Sequence, residues 1–134
     1  MSKVVVHTDA APGPFQGAPY SQAVSANGFV FVAGQLGLVP GASEPVGGGI
    51  VAQTEQALLN LQRILEAAGT SLAGLVKTTV FLRNLDDFAG MNEVYARFVG
   101  DRPPARSTIE VGRLPSGALV EIEAIAIAPA GGAG

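Results

Sequence analysis

The chain has 134 residues, of which 48% are apolar and 14% are charged, with a net charge of −3 and no cysteine. About 25% of the residues in a typical soluble domain are charged, so this shortage indicates that part of the surface faces another subunit. Without cysteine, the chain has no disulfides, thiolate metal sites or cysteine nucleophiles. The acidic net charge disfavours a nucleic-acid binder held by clustered Lys and Arg.

Three strands are predicted near the amino terminus. Residues 3–7 form a short strand, and a Pro- and Gly-rich segment follows it. Asn27 and Gly28 predict a hairpin turn between strands at residues 21–26 and 29–34. His7, the single histidine, is interpreted as a terminal or edge residue. No apolar run is long enough for a signal peptide or a membrane span, so the sequence predicts a cytoplasmic protein without a membrane partner.

Two amphipathic helices are predicted in the middle of the chain. Between residues 50 and 68 apolar side chains recur with a period of 3.6, and polar residues, Gln53 among them, lie mostly on the other side. Gly69 is placed to end this helix. Asp86 or Asp87 caps a second helix over residues 88–99.

Further strands are predicted at residues 75–85, 107–111 and 118–128. The order β-β-β-α-β-α-β-β indicates a single α+β domain over residues 1–128, with both helices on one face of a mixed sheet. Residues 129–134 are predicted to be a disordered Gly/Ala tail. The strand at 29–34 is apolar on both faces, so we expect a second copy of the chain to cover the remaining face.

Charged residues in the last two strands are the candidates for chemistry. Arg106 precedes an apolar strand, and Glu121 and Glu123 share one face of another. Burying such charges is costly unless they are paired or border a cavity. From pattern alone, Arg106 could pair with Glu121 or with the acid of a ligand, and both glutamates could be solvated or paired with Lys77.

Several segments, in order along the chain, resemble one protein family: "PYSQAV", "FVFVAGQL", "AQTEQALLNLQRILEAAG", "VKTTVFLRNLDDFAGMNEVYARF" and "RPPARSTIEVGRLPSGALVEIEAIA". They closely resemble the Rid (YjgF-type) reactive intermediate deaminases from about Tyr20 to Ala126. The arginine in "PARS" makes the chain look most like the 2-iminobutanoate/2-iminopropanoate deaminase branch.

The resemblance implies a chorismate-mutase-like fold and a homotrimer with ligand sites between subunits. Deaminase members of the family hydrolyse reactive 2-imino acids, released by pyridoxal-phosphate enzymes, to 2-oxo acids and ammonia. Water adds readily to an electrophilic C=N carbon. The protein needs only to position the substrate and the water and to provide a path for protons, so no metal or cofactor is required.

The resemblance also assigns roles to individual residues. Arg106 matches the arginine that holds the substrate carboxylate, and Glu121 matches the acid that positions or activates water. Further residues that match the family's substrate-binding pocket are Tyr20, Gly34, Asn92 and the backbone around Thr108. Ala33 departs from the pattern, because many members have a serine there.

Two other classes of function stay open on sequence grounds. The chain could be a non-catalytic binder of small carboxylates or a chaperone-like trimer. It could also be an endoribonuclease or translation inhibitor, activities to which the family has been linked. The isoelectric point of about 5.0 weighs against an RNA partner.

Overall fold

A computed structural model describes residues 2–128. Its strands and helices follow one another in the predicted order. Its strands and α-helices are β1 (Val4–Val6), β2 (Ala23–Ala26), β3 (Phe29–Leu36), α1 (Gly49–Ala67), β4 (Leu75–Leu82), α2 (Phe88–Val99), β5 (Ala105–Glu110) and β6 (Val120–Ile127). The predicted tail at residues 129–134 lies outside the described residues. No helix in this part of the chain is long and apolar enough to cross a membrane.

The six strands form one mixed sheet in the order β1-β2-β3-β6-β4-β5. β4 and β5 are parallel and are joined through α2, and the other neighbours are antiparallel. Both helices pack on the same face of the sheet, and the buried apolar residues lie between the two layers. The predicted α+β class is therefore confirmed.

The hairpin between β2 and β3 turns at Asn27 and Gly28. Both residues have positive φ angles, 52° and 82°, and Ala26 pairs with Phe29 directly across the turn. A two-residue turn with two positive φ angles suits the right-handed twist of the strands it joins, which explains the preference for Asn-Gly.

A bulge interrupts the pairing of β3 with β6. Val32 pairs with Ala124, but the next pair joins Gln35 to Ile122, so β3 carries one extra residue in this interval. Such a bulge bends the strand and re-aims its side chains. This strand was predicted to end at Gly34, but β3 continues through Leu36.

One side chain of α1 was assigned to the wrong face. Gln53 is buried rather than solvent-facing, and its Oε1 accepts a hydrogen bond from the backbone N–H of Leu119 at 2.9 Å. Asn60, also fully buried, donates through Nδ2 to the carbonyls of Leu36 and Leu38. Each amide forms hydrogen bonds with backbone groups next to strand ends that have no partner in the sheet. Buried backbone groups need such partners, which explains why polar side chains stand in the core here.

The sheet face without helices, here called the open face, is largely apolar. Phe29, Phe31, Ile109 and Ile127 lie on it with exposed fractions of 41%, 44%, 47% and 52%. Phe29 and Phe31 pair with Ile127 and Ile125 of β6, so this part of the face is a continuous apolar patch. An exposed apolar patch on a small domain often marks an interaction site.

Candidate active site

Glu121 lies in the wall of a cavity of about 390 Å³. Tyr20 and Gly34 line the same cavity, and so does Ala33. The structure therefore brings together three of the six predicted site residues, namely Glu121, Tyr20 and Gly34. The rest of the lining is mainly apolar: Pro12, Phe15, Ala18, Leu36, Leu38 and Pro115. A carboxylate in an apolar cavity is the usual setting for an acid or base whose pKa is tuned for chemistry.

The carboxylate of Glu121 has no hydrogen-bond or ion-pair partner among residues 2–128. Burial raises the pKa of Glu121 above the ordinary glutamate value, and the negative charge of Glu123 on the same strand raises it further. Both effects make this carboxylate a better proton acceptor than a solvated one.

Gly34 belongs to the bulge and lies directly against Glu121. A Cβ added at Gly34 would come within 2.8 Å of the Glu121 Cδ atom, well inside van der Waals contact. The φ angle of Gly34 is not positive, so the space taken by Glu121, and not backbone conformation, requires glycine here. The glycine in the bulge therefore leaves the space that the Glu121 carboxylate occupies.

Tyr20 shapes the neighbouring wall. Its side chain is 43% exposed, and its hydroxyl accepts a hydrogen bond from the backbone N–H of Phe15 at 2.6 Å. Phe15 also lines the cavity. In the single chain Tyr20 thus closes a loop over the Glu121 cavity.

Arg106 lies against α2, in a separate cavity of about 350 Å³ that Asn92 also lines. Its guanidinium carbon is 4.7 Å from the centre of the Tyr95 ring and 5.5 Å from that of Phe88. Nη1 also contacts the Met91 sulfur at 3.9 Å. Within residues 2–128 no carboxylate pairs with Arg106. Stacking on aromatic faces stabilises the cation and, apart from the Nη1 contact with Met91, leaves its in-plane N–H donors available to an anion.

Tyr95 is itself fixed by a buried hydroxyl pair. Its hydroxyl and the Oγ1 atom of Thr78 are 2.6 Å apart, and Thr78 is fully buried. Burial raises the pKa of Tyr95, although the hydrogen bond to Thr78 and the charge of Arg106 act in the opposite direction. A neutral, immobilised ring is therefore the support on which Arg106 rests.

The two cavities lie on opposite faces of the sheet. Arg106 pairs with Thr78, which faces the helices, whereas Glu121 pairs with Phe81 on the open face. Strand spacings place the two Cα atoms roughly 14 Å apart. An ion pair between Arg106 and Glu121 of one chain, an alternative left open by the sequence, is therefore wrong.

Thr108 lies two residues beyond Arg106 on β5, on the same side of the sheet, and is partly buried. The predicted site residues thus fall into two groups. Arg106, Asn92 and Thr108 belong to the helix side, and Tyr20, Gly34 and Glu121 to the other cavity. The alternative pairing of the glutamates with Lys77 is also absent from residues 2–128, where the ion pairs are His7–Asp9 and Arg97–Glu55.

No group of three or more His, Asp or Glu side chains among residues 2–128 is arranged to hold a metal ion. The residues that sequence reasoning missed are two buried amides that line the Glu121 cavity, Gln22 and Gln35. Neither amide carried a signal in the sequence, since a glutamine in or beside a strand is ordinarily solvent-facing.

Comparison with known proteins identifies the family. The profile of the family described as Endoribonuclease L-PSP matches residues 9–128. The chain belongs to this L-PSP family. It is the family of the Rid (YjgF-type) proteins whose motifs the sequence resembles, so that assignment is confirmed.

Individual members of the L-PSP family are similar over almost the whole chain. A RutC family protein of Pyrococcus horikoshii is 52% identical, over 92% of this chain and 97% of that protein. The human protein named 2-iminobutanoate/2-iminopropanoate deaminase is 42% identical, over 92% of this chain and 88% of that one. The crystal structure of RidA from an Antarctic Psychrobacter superposes with a TM-score of 0.87 at 42% identity and covers 92% of this chain and 98% of that chain.

Proposed function

We propose that the protein hydrolyses 2-imino acids to 2-oxo acids and ammonia. The observation that carries the proposal is the pair of unpartnered charges: a guanidinium supported on aromatic rings and a carboxylate of raised pKa in an apolar cavity. An anion-binding group and a proton acceptor are what imine hydrolysis requires. The name of the human relative supports this choice of reaction.

The separation of the two charges supports a site formed between copies of the chain. One copy would contribute Arg106, Asn92 and Thr108, and its neighbour Tyr20, Gly34 and Glu121. The apolar open face offers the surface for such an assembly. We therefore propose a homotrimer with three equivalent intersubunit sites. In such a ring the same two surfaces of the chain meet at each of the three interfaces.

In the proposed reaction Arg106 binds the substrate carboxylate through two parallel N–H donors. Glu121 accepts a proton from a water molecule as the water oxygen bonds to the carbon of the protonated imine. The same proton then passes to the amine nitrogen of the tetrahedral intermediate. As the C–N bond breaks and ammonia leaves, the remaining hydroxyl group gives its proton to Glu121 and becomes the carbonyl of the 2-oxo acid, and this proton ends on the released ammonia. One water is consumed for each ammonia released.

A mixing experiment tests both the reaction and the shared site. Imines generated by a pyridoxal-phosphate dehydratase are supplied to Arg106→Ala, to Glu121→Gln, and to the two variants unfolded and refolded together in equal amounts. A site between subunits predicts that each variant alone is nearly inactive and that the mixture recovers about a quarter of the wild-type sites. A mixture as inactive as its components contradicts the shared site. A wild-type protein without imine hydrolysis contradicts the function.

Light scattering measures the assembly directly. A trimer has three times the 13.5 kDa mass of the chain. A stable 13.5 kDa monomer at micromolar concentration would contradict the trimer and the intersubunit site together.

The description of the family supplies one other candidate, endoribonuclease activity. The net negative charge argues against RNA binding, because the chain has 8 Lys and Arg residues and 11 Asp and Glu residues. RNA binding depends on contacts between cationic side chains and phosphates. The single histidine is exposed and paired with Asp9 away from both cavities. RNA cleavage that persists in Arg106→Ala and Glu121→Gln would assign that activity to another surface.

The Gly34→Ala variant tests the place of the Glu121 carboxylate. The added methyl group must push the end of the Glu121 side chain aside, which a flexible side chain does at little cost in stability. We expect roughly a 10- to 100-fold loss in kcat, because a displacement of about 1 Å of a reacting group has effects of that order. Gly13→Ala is the matched control: Gly13 lines the same cavity, and nothing lies within 4 Å of its added Cβ. Equal activity of the two variants would contradict the role of Glu121.

The pH dependence of hydrolysis tests the coupling between Glu121 and Glu123. Glu123 raises the pKa of Glu121, so the Glu123→Gln variant keeps Glu121 ionised to lower pH. We expect the acid limb of the kcat/KM profile to move to lower pH in Glu123→Gln and to stay in place in Glu66→Gln, which changes an exposed glutamate on α1. An unmoved acid limb in Glu123→Gln would assign that limb to a group other than Glu121.

A further inference from the structure

One wall of the Glu121 cavity is a segment without regular structure, residues 8–13. Pro12 and Gly13 line the cavity, and Ala11 behind them is buried. Within residues 2–128, apart from an exposed bond between Asp9 and the adjoining His7, the hydrogen bonds that join this segment to the rest of the chain come from two side chains, Gln22 and Arg63. The Arg63 bond is exposed and 3.4 Å long, so Gln22 provides most of the attachment.

Gln22 is 3% exposed and uses both ends of its amide on the segment. Its Oε1 accepts a hydrogen bond from the Thr8 N–H at 2.8 Å. Its Nε2 donates to the carbonyls of Thr8, Ala11 and Pro12 at 3.0, 3.3 and 2.8 Å. A buried amide with this many backbone partners fixes the segment to a single position.

The backbone of the same residue holds the opposite wall. The Gln22 carbonyl accepts a hydrogen bond from the Ala33 N–H at 2.9 Å, and Ala33 is followed by Gly34, the residue that makes room for Glu121. Gln22 therefore spans the distance between the segment 8–13 and the bulge that carries the acid. A shift of its side chain changes the width of the cavity without changing the residues that face the reacting atoms.

We propose that Gln22 is a positioning residue that sets the width of the cavity and thereby selects the side chain of the imino acid. The inference rests on the proposed function. With the carboxylate bound by Arg106 and the water by Glu121, the substrate side chain is left to face the apolar wall formed by Pro12, Phe15, Leu36 and Leu38. Gln22 holds the Pro12 part of that wall through the hydrogen bond to the Pro12 carbonyl.

The test uses Gln22→Met, which has a side chain of similar length and volume but no amide. Its matched control is Leu75→Ala, which removes a buried side chain six residues along β4 from Phe81, the residue paired with Glu121. Steady-state hydrolysis is measured for imines of increasing side-chain size, derived from alanine, 2-aminobutanoate and leucine. Hydrogen exchange of the Thr8 amide is measured in the same proteins.

In Gln22→Met we expect faster exchange at Thr8 and a KM that rises roughly tenfold, about the worth of one or two net hydrogen bonds. The rise differs between the imines, so the preference among side chains changes, while kcat falls much less. Leu75→Ala lowers the melting temperature but keeps the wild-type preference. Should Gln22→Met fail to fold, Gln22→Asn is the second variant, with the same expectation, because its amide is one methylene short of the same carbonyls.

An unchanged preference among the imines in Gln22→Met, or a change equal to that in Leu75→Ala, overturns the proposal. So does wild-type protection of the Thr8 amide. If the wild-type protein hydrolyses no imine, the proposed function fails, and the exchange of Thr8 still decides whether Gln22 holds the segment 8–13.

Discussion

Replacement of Arg106 with alanine is expected to lower kcat/KM for 2-iminopropanoate by about 30-fold to several thousand-fold, which corresponds to roughly 2–5 kcal/mol. The reason is the surroundings of the guanidinium. It rests on Tyr95 and Phe88 in a partly desolvated cavity and has no carboxylate partner among residues 2–128. Among residues 2–128 no other Lys or Arg lines this cavity, so the alanine variant leaves a bound anion without a cation.

Arg106→Lys is expected to restore little of this loss. An ammonium group does not present two parallel donors, and it does not stack on the Tyr95 ring as a planar guanidinium does. Arg97→Ala is the control, since it removes a solvent-exposed arginine of α2 whose ion pair with Glu55, at 3.8 Å, contributes little. Full activity of a folded, trimeric Arg106→Ala would rule out the proposed carboxylate clamp and the deaminase function with it.

Glu121→Gln is expected to lower kcat by about 10²- to 10⁴-fold, the range found when a general acid–base group is removed. Binding of 2-oxobutanoate should stay close to wild type, because the proposed partner of Glu121 is the water and not the substrate carboxylate. Isothermal titration and steady-state kinetics measure the two quantities separately. Parallel losses of binding and turnover would instead make Glu121 a binding group.

The same variant has a predicted effect on stability. The folded state raises the pKa of Glu121, so ionisation of this group costs stability once the pH exceeds the ordinary glutamate pKa. Glu121→Gln should therefore raise the melting temperature at neutral pH, and the gain should vanish in acid below that pKa. In a shared site the guanidinium of the neighbouring copy opposes the effect, so the gain should be largest in the Arg106→Ala background.

Local patterns were sufficient to predict most of the fold. The Asn27-Gly28 turn, the 3.6-residue period of α1 and the alternation in β6 each depend on near neighbours in the chain. They led to the correct order of elements and to the correct placement of Glu121 and Glu123 on one face of β6, opposite the buried Val120 and Ile122.

The candidate site was predicted less completely, because its arrangement depends on register between distant strands. Nothing near Arg106 in sequence shows that it pairs with Thr78, or that Glu121 pairs with Phe81, and these pairings place the two charges on opposite faces. The buried amides were missed for a related reason. Gln53 reads as solvent-facing until the backbone N–H of Leu119, 66 positions away, is seen beside it.

The open face has a consequence for the chain as it leaves the ribosome, before any partner is available. Lys77 and Glu123 lie among its apolar side chains, around one shallow depression that Phe31 and Ile125 also line. A charged side chain buried without a partner costs several kcal/mol, so these two residues penalise stacking of the face on an arbitrary apolar surface. We expect both residues to act as gatekeepers against aggregation, because only a surface that meets both charges covers the face without that penalty.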